Sequence, residues 1–212
     1  MVGRLEAWEQ ERVARTLSQV NEEVVKREEN GEEVRPEIAD PDSEGAKTVF
    51  ESVVDAAAHS IEERKCEVIA NLYTSIAFDA SVSISNALLY VKRVREASWR
   101  QIVALRYFED PDRRQERDQI GVAGEEGDVR IHPVLSVELA EAARSLELIG
   151  LVQQDGSVAN PANTLGGGQI TSGSVLHLGP TGLGATVSRL GRLSDVVTTA
   201  ELDEIASALR AG

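Results

Sequence analysis

The chain has 212 residues, 42% of them hydrophobic and 4% aromatic, which allows one large or two small domains with a core built from Leu, Val, Ile and Ala. Its formal net charge of -14 repels nucleic acid and anionic membrane surfaces unless a local basic patch intervenes. Cys66 is the one cysteine, which excludes an intramolecular disulfide and fits a reducing cytoplasm.

Residues 1–30 predict an amphipathic helix with apolar positions at Leu5, Trp8, Val13, Leu17, Val20 and Val24. The spacing from Val13 to Val24 is coiled-coil-like but too short for a sustained coiled coil. It implies a docking helix or one exchanged with a partner, with Trp8, Leu17, Val20 and Val24 as the expected protein-binding face. Met1 to Gln10 carries charge from Arg4 onward and has no apolar core, so no secretory leader is read there.

Residues 31–46 read as an acidic linker rich in Pro and Gly, of a composition that suggests mobility. Residues 47–97 form a helical region. Phe50, Val53, Val54, Ala57 and Ile61, then Ile69, Leu72, Tyr73 and Ile76, predict one long helix or a lightly broken pair over 46–79. A turn at Asp79-Ala80-Ser81 precedes a helix with Ile84, Leu88, Val91 and Val94. Residues 68–91 hold one charge, Asp79, yet their many Asn, Ser and Thr residues point to two core-facing helices and not to a membrane span.

Ser98 and Gln101 match a capping box opening a helix that Asp110-Pro111 ends. Residues 111–131 show no apolar period. A helix over 135–149 exits through Gly150 into Leu151-Val152-Gln153, and Asp155-Gly156 signals a hairpin with Ser157-Val158-Ala159. A glycine-rich loop, a strand at 175–178 and a helix over 181–193 follow. In residues 194–212, Thr198 and Glu201 form a second capping box before a last helix.

No catalytic, cofactor or metal constellation is legible. His59 and Cys66 stand two helical turns apart, about 10 Å by helical rise, which is too far to share a metal unaided. His132 and His177 have no ligand partner at helical spacing. Gly166-Gly167-Gly168-Gln169 lacks the context of a phosphate loop, and Ser172 lacks an identifiable base. The one basic stretch, Lys92 to Arg117, sets eight cations against five carboxylates, a local net charge of +3. Arg93, Arg100, Arg113, Arg114 and Arg117 are its candidate ligand-binding residues. Neutralisation of the first helix and linker is the competing use.

Two resemblances extend this reading. The stretches Ala140-Glu-Ala-Ala-Arg-Ser-Leu-Glu-Leu-Ile-Gly-Leu-Val152 and Val175-Leu-His-Leu-Gly-Pro-Thr-Gly-Leu183 resemble the winged-helix superfamily. That likeness implies a mainly α chain in which a helical N-terminal region precedes a winged-helix-like α+β module at 98–193 with a small β-hairpin or wing. Lys65-Cys-Glu-Val-Ile-Ala-Asn-Leu-Tyr-Thr-Ser-Ile76, taken with these pieces, resembles bacterial abortive-infection alpha proteins over about residues 48–193. That likeness implies phage defence without a defined active site. The helix expected to enter a DNA groove carries Glu138, Glu141 and Glu147 against Arg144. The expectation is therefore a non-enzymatic, cytoplasmic protein that binds a protein partner or its own copies and needs no cofactor. The alternative is a DNA-binding regulator that uses 92–117 and the wing.

Overall fold

The computed structural model describes residues 2–40, 42–113, 133–154 and 178–210. It is mainly helical, with one two-stranded antiparallel sheet among the described residues. The chain divides into two compact units, residues 1–99 with 187–196 and residues 100–186 with 197–212. No described helix is long and apolar enough to cross a membrane.

The first unit contains α1 (Val2–Glu29), α2 (Pro36–Ala39), α3 (Glu44–Ala58), α4 (Glu63–Phe78) and α5 (Ile84–Glu96). The expected 46–79 helix is thus a broken pair. Its helix starts are written in side-chain chemistry. The Ser43 hydroxyl accepts from the Ala46 amide at 3.2 Å and the Ser83 hydroxyl from the Asn86 amide at 3.2 Å. Each such cap contributes about 1 kcal/mol by satisfying an amide left over at a helix start.

α4 is the centre of this unit. It buries nine of its sixteen residues, including Val68, Ile69, Leu72 and Ile76. Val49 and Val53 of α3 and Val91 and Val94 of α5 complete the core. The polar residues of 68–91 have structural tasks. Ser75 donates to the Leu190 carbonyl at 2.9 Å and Asn71 to the Gly191 carbonyl at 3.5 Å, where α8 (Gly182–Leu190) ends. Thr74 returns its hydroxyl to the Ala70 carbonyl at 2.9 Å. α1 runs parallel to α4, with Arg15 on Glu63 at 2.9 Å near one end and the Arg27 guanidinium over the Phe78 ring at 4.2 Å near the other.

The described residues of the 31–46 segment include a tight turn and a buried arginine. Gly31 turns the chain at φ 84°, a conformation glycine adopts without a Cβ penalty. Arg35 is then buried, with its amide donating to the Ala77 carbonyl at 2.9 Å and its guanidinium to the carbonyls of Asp79, at 3.2 Å, and Val82. One buried arginine therefore ties the α1–α3 connection to the α4–α5 turn.

In the second unit, α6 (Trp99–Glu109) buries Ile102, Val103, Leu105, Tyr107 and Phe108. Asp110 accepts the amides of Asp112 and Arg113, and residues 111–113 make a helical turn where the sequence shows no apolar period. α7 (Pro133–Leu148) ends at Gly150, φ 75°. There the Leu151 amide bonds the Leu146 carbonyl at 2.8 Å and the Gly150 amide bonds Glu147 at 2.9 Å, the double closure of a Schellman motif.

β1 (Val152–Gln154) pairs antiparallel with β2 (Leu178–Pro180), in register Val152↔Pro180 and Gln153↔Gly179. Of the strand expected at 175–178, Leu178 opens the described part of β2, which runs on to Pro180, and Val175 to His177 lie outside the described residues. So do the expected hairpin at 155–159 and the Gly166–Gly168 loop. Pro180 is tolerated at the strand end because the Thr181 amide, at 3.0 Å from the Leu151 carbonyl, supplies the next bond. Thr181 then caps α8, accepting the Gly184 amide at 2.9 Å. Gly184 must lack a side chain, since a Cβ there meets the Leu151 carbonyl oxygen at 1.9 Å.

The helix expected over 181–193 breaks at Gly191-Arg192 into α8 and the short α9 (Leu193–Val196), with Arg192 in the left-handed region at φ 50°, and a Cβ at Gly191 meets the Val68 side chain at 2.9 Å. α10 (Thr199–Arg210) packs on α7 and opens with the expected capping box. In that box Glu201 accepts the Thr198 amide at 2.9 Å, and Thr198 accepts the Glu201 amide at 3.4 Å.

Candidate docking site

α1 lies against α3 and α4, and its inner face is largely polar. Thr16 is fully buried, Val20 is 8% exposed, and the Arg12 guanidinium donates to the Ala58 carbonyl at 2.6 Å. On the α3 side an open groove of about 450 Å³ remains uncovered. Val13, Ala14 and Leu17 of α1 and Ala58 of α3 form its apolar floor, and Glu6 and Glu9 stand along it. Neither carboxylate has an ion-pair partner among the described residues, and the lining includes no cation. At the same end of the unit, Trp8 is 61% exposed and Ile61, in the α3–α4 connection, is 90% exposed.

The four residues read as one binding face do not share it. At about 100° per residue, Trp8 and Leu17 point about 180° apart, so Trp8 lies on the opposite flank of α1. Leu17 lines the groove, Val20 is buried within the chain, and Val24 is half-buried. Plotting the angles would have separated Trp8 from Leu17 and joined Val13 to it. Ala58 was beyond reach, because nothing in the α1 sequence says which helix lies alongside. Ile61 was counted as an inward position of a helix, and the break after Ala58 puts it in a connection instead.

The arginines of 92–117 are largely engaged. Arg93 pairs with Glu96 at 2.8 Å, Arg95 with Asp55, Arg106 with Asp110 at 2.9 Å and Arg113 with Asp203, while Arg100 also has a partner. Arg114 and Arg117 lie outside the described residues. The carboxylates paired with Arg93, Arg95, Arg106 and Arg113 belong to α5, α3, the end of α6 and α10. α7 presents Glu141, Arg144 and Glu147 to solvent beside Leu148, which is 78% exposed.

The titratable groups inside the first unit have structural partners. Burial pushes the Cys66 thiol up, against a smaller opposing effect of the Thr16 hydroxyl, which leaves it a poor nucleophile. Burial lowers Lys65, whose ammonium donates to the Arg95 carbonyl at the end of α5 at 2.7 Å. His59 is exposed, with its Nδ1 at 3.1 Å from the Asp55 carboxylate. Among the described residues no group of three His, Cys, Asp or Glu is arranged to hold a metal ion. His132 and His177 are outside them.

No protein-family model matches the chain, and comparison with curated proteins and with solved structures gives no match.

Proposed function

We propose that this chain is a non-enzymatic protein-interaction protein that receives its partner at the α1–α3 end of the first unit. The observation that carries the reading is the uncovered apolar surface there: the floor of the groove, with Ile61 exposed three residues beyond Ala58. Isolated exposed apolar residues are ordinary, but an open groove with an apolar floor is the pattern of a binding surface.

The second unit is read as a winged-helix-like module turned to protein binding. What supports this is the order of α7, β1, β2 and α8, together with the sequence likeness of 140–152 and 175–183. The mixed, largely acidic outer face of α7 suits a protein partner better than phosphates, which need unpaired Lys and Arg. The resemblance to abortive-infection alpha proteins supports a role as a bacterial accessory factor in phage defence.

Photo-crosslinking in cells tests the docking reading. A benzophenone side chain at position 14 or 61 is expected to give a discrete heteromeric adduct that the same group at Glu51, an exposed position of α3, does not give. Equal, diffuse labelling from all three positions sinks the reading. Retardation of duplex DNA at low salt, with a steep salt slope, replaces it with the DNA-binding regulator.

A further inference from the structure

We infer that the α1–α3 groove takes an amphipathic helix of another protein whose apolar stripe is flanked by Lys or Arg. This deepens the protein-binding reading and rests on it. The floor of Val13, Ala14, Leu17 and Ala58 runs along one flank of α1 and is closed by the last residue of α3, and two of its four residues are alanines. Small side chains let a third helix approach closely, with its i, i+3, i+4 and i+7 residues in the furrow.

The charge of the wall selects the occupant. Glu6 and Glu9 have no ion-pair partner among the described residues, and the groove lining offers no cation. A helix flanked by Glu meets repulsion there, whereas one flanked by Lys or Arg completes two ion pairs. A second copy of this chain is disfavoured by the same reasoning. An isologous contact sets the same acidic wall on both sides of the interface and brings together two chains of net charge -14. Each exposed pair is worth about 2- to 5-fold in affinity and weakens with salt.

The experiment uses the full chain and a displayed library of helices about five turns long, with Leu fixed along one stripe and Lys, Glu or Gln allowed on its flanks. Enriched helices are expected to carry Lys on the flanks. They are expected to lose binding to Ala14→Glu, a substitution at an exposed helical position that leaves the fold intact by thermal melting. Glu6→Gln with Glu9→Gln is expected to weaken them by about 4- to 25-fold at low salt and to remove most of the salt dependence.

Enrichment of Glu or Gln flanks overturns the inference, as does binding indifferent to Ala14→Glu. A dimer seen by sedimentation and abolished by Ala14→Glu makes the occupant a second copy and also overturns it. If position 14 still crosslinks to a partner in cells while the charge preference is absent, the protein-binding reading stands and only this inference falls.

Discussion

α1 and α4 run side by side in the same unit, yet they are held by different forces. α4 buries nine of sixteen residues and is packed on several sides by apolar neighbours. Among residues 6–29 of α1, only Thr16 and Val20 reach full burial. The rest of its attachment is polar: Arg12 on the Ala58 carbonyl, Arg15 on Glu63, Glu23 on Arg192 at 2.7 Å and Arg27 over Phe78. Partly exposed contacts of this kind contribute less than about 1 kcal/mol each. Arg12 Nε and Gln19 Oε1 are buried there without a hydrogen-bond partner, which offsets part of that gain. A helix attached in this way can keep an apolar flank uncovered, which a core helix cannot.

Substitutions can break the contrast, starting from the core. Leu72→Ala is expected to cost about 2–5 kcal/mol in urea unfolding, because it opens a cavity in the most buried helix. A cost below about 1 kcal/mol removes the distinction. Arg35→Ala follows at about 1.5–3 kcal/mol, because the Asp79 and Val82 carbonyls lose a charged donor. Lysine there is expected to recover part of the loss, since both carbonyls accept from the one nitrogen Nη1 and an ammonium can also donate to two acceptors.

Val20→Ala in α1 is expected to cost about 1.5 kcal/mol, the transfer value of the two carbons removed. A loss equal to that of Leu72→Ala makes α1 a core helix. Ala14→Glu is expected to change stability by less than about 0.5 kcal/mol, because the site is exposed.

The dependence on pH sharpens the comparison at the α4–α5 turn. The Ser81 hydroxyl and amide, with Arg189 at 3.2 Å, hold the Asp79 carboxyl below its ordinary value. The folded chain therefore binds that proton less readily than the unfolded chain. The stabilisation is present above about pH 4, the ordinary Asp value, and is lost as pH falls through the lower folded value. In Asp79→Asn this acid-labile component is expected to vanish from the stability–pH curve measured by urea midpoints. An unchanged acid limb removes Asp79 from the account of the turn.

The helices were legible where local chemistry and the periodic apolar pattern agree, as at Thr198-Glu201 and the Gly150 exit from α7. Gly179 and Pro180 usually punctuate structure, whereas here they end a strand whose next bond comes from Thr181. Arg35 sat in a linker composition, and its burial depends on carbonyls more than forty residues away. Arg113 finds Asp203 ninety residues on, so the basic stretch could not be counted as engaged from its own neighbours. The groove was half legible: Leu17 and Val13 lie on one flank of α1, but the neighbour that makes a furrow is fixed only by packing.

Amide hydrogen exchange on the full chain, alone and with the enriched cationic helix, tests the central claim most directly. The expected result is faster exchange in α1 than in α4 for the chain alone, and slowing confined to residues 6–17 and 55–61 when the helix is added. Protection of α1 equal to that of α4, with no change over 6–17 on adding the helix, contradicts it.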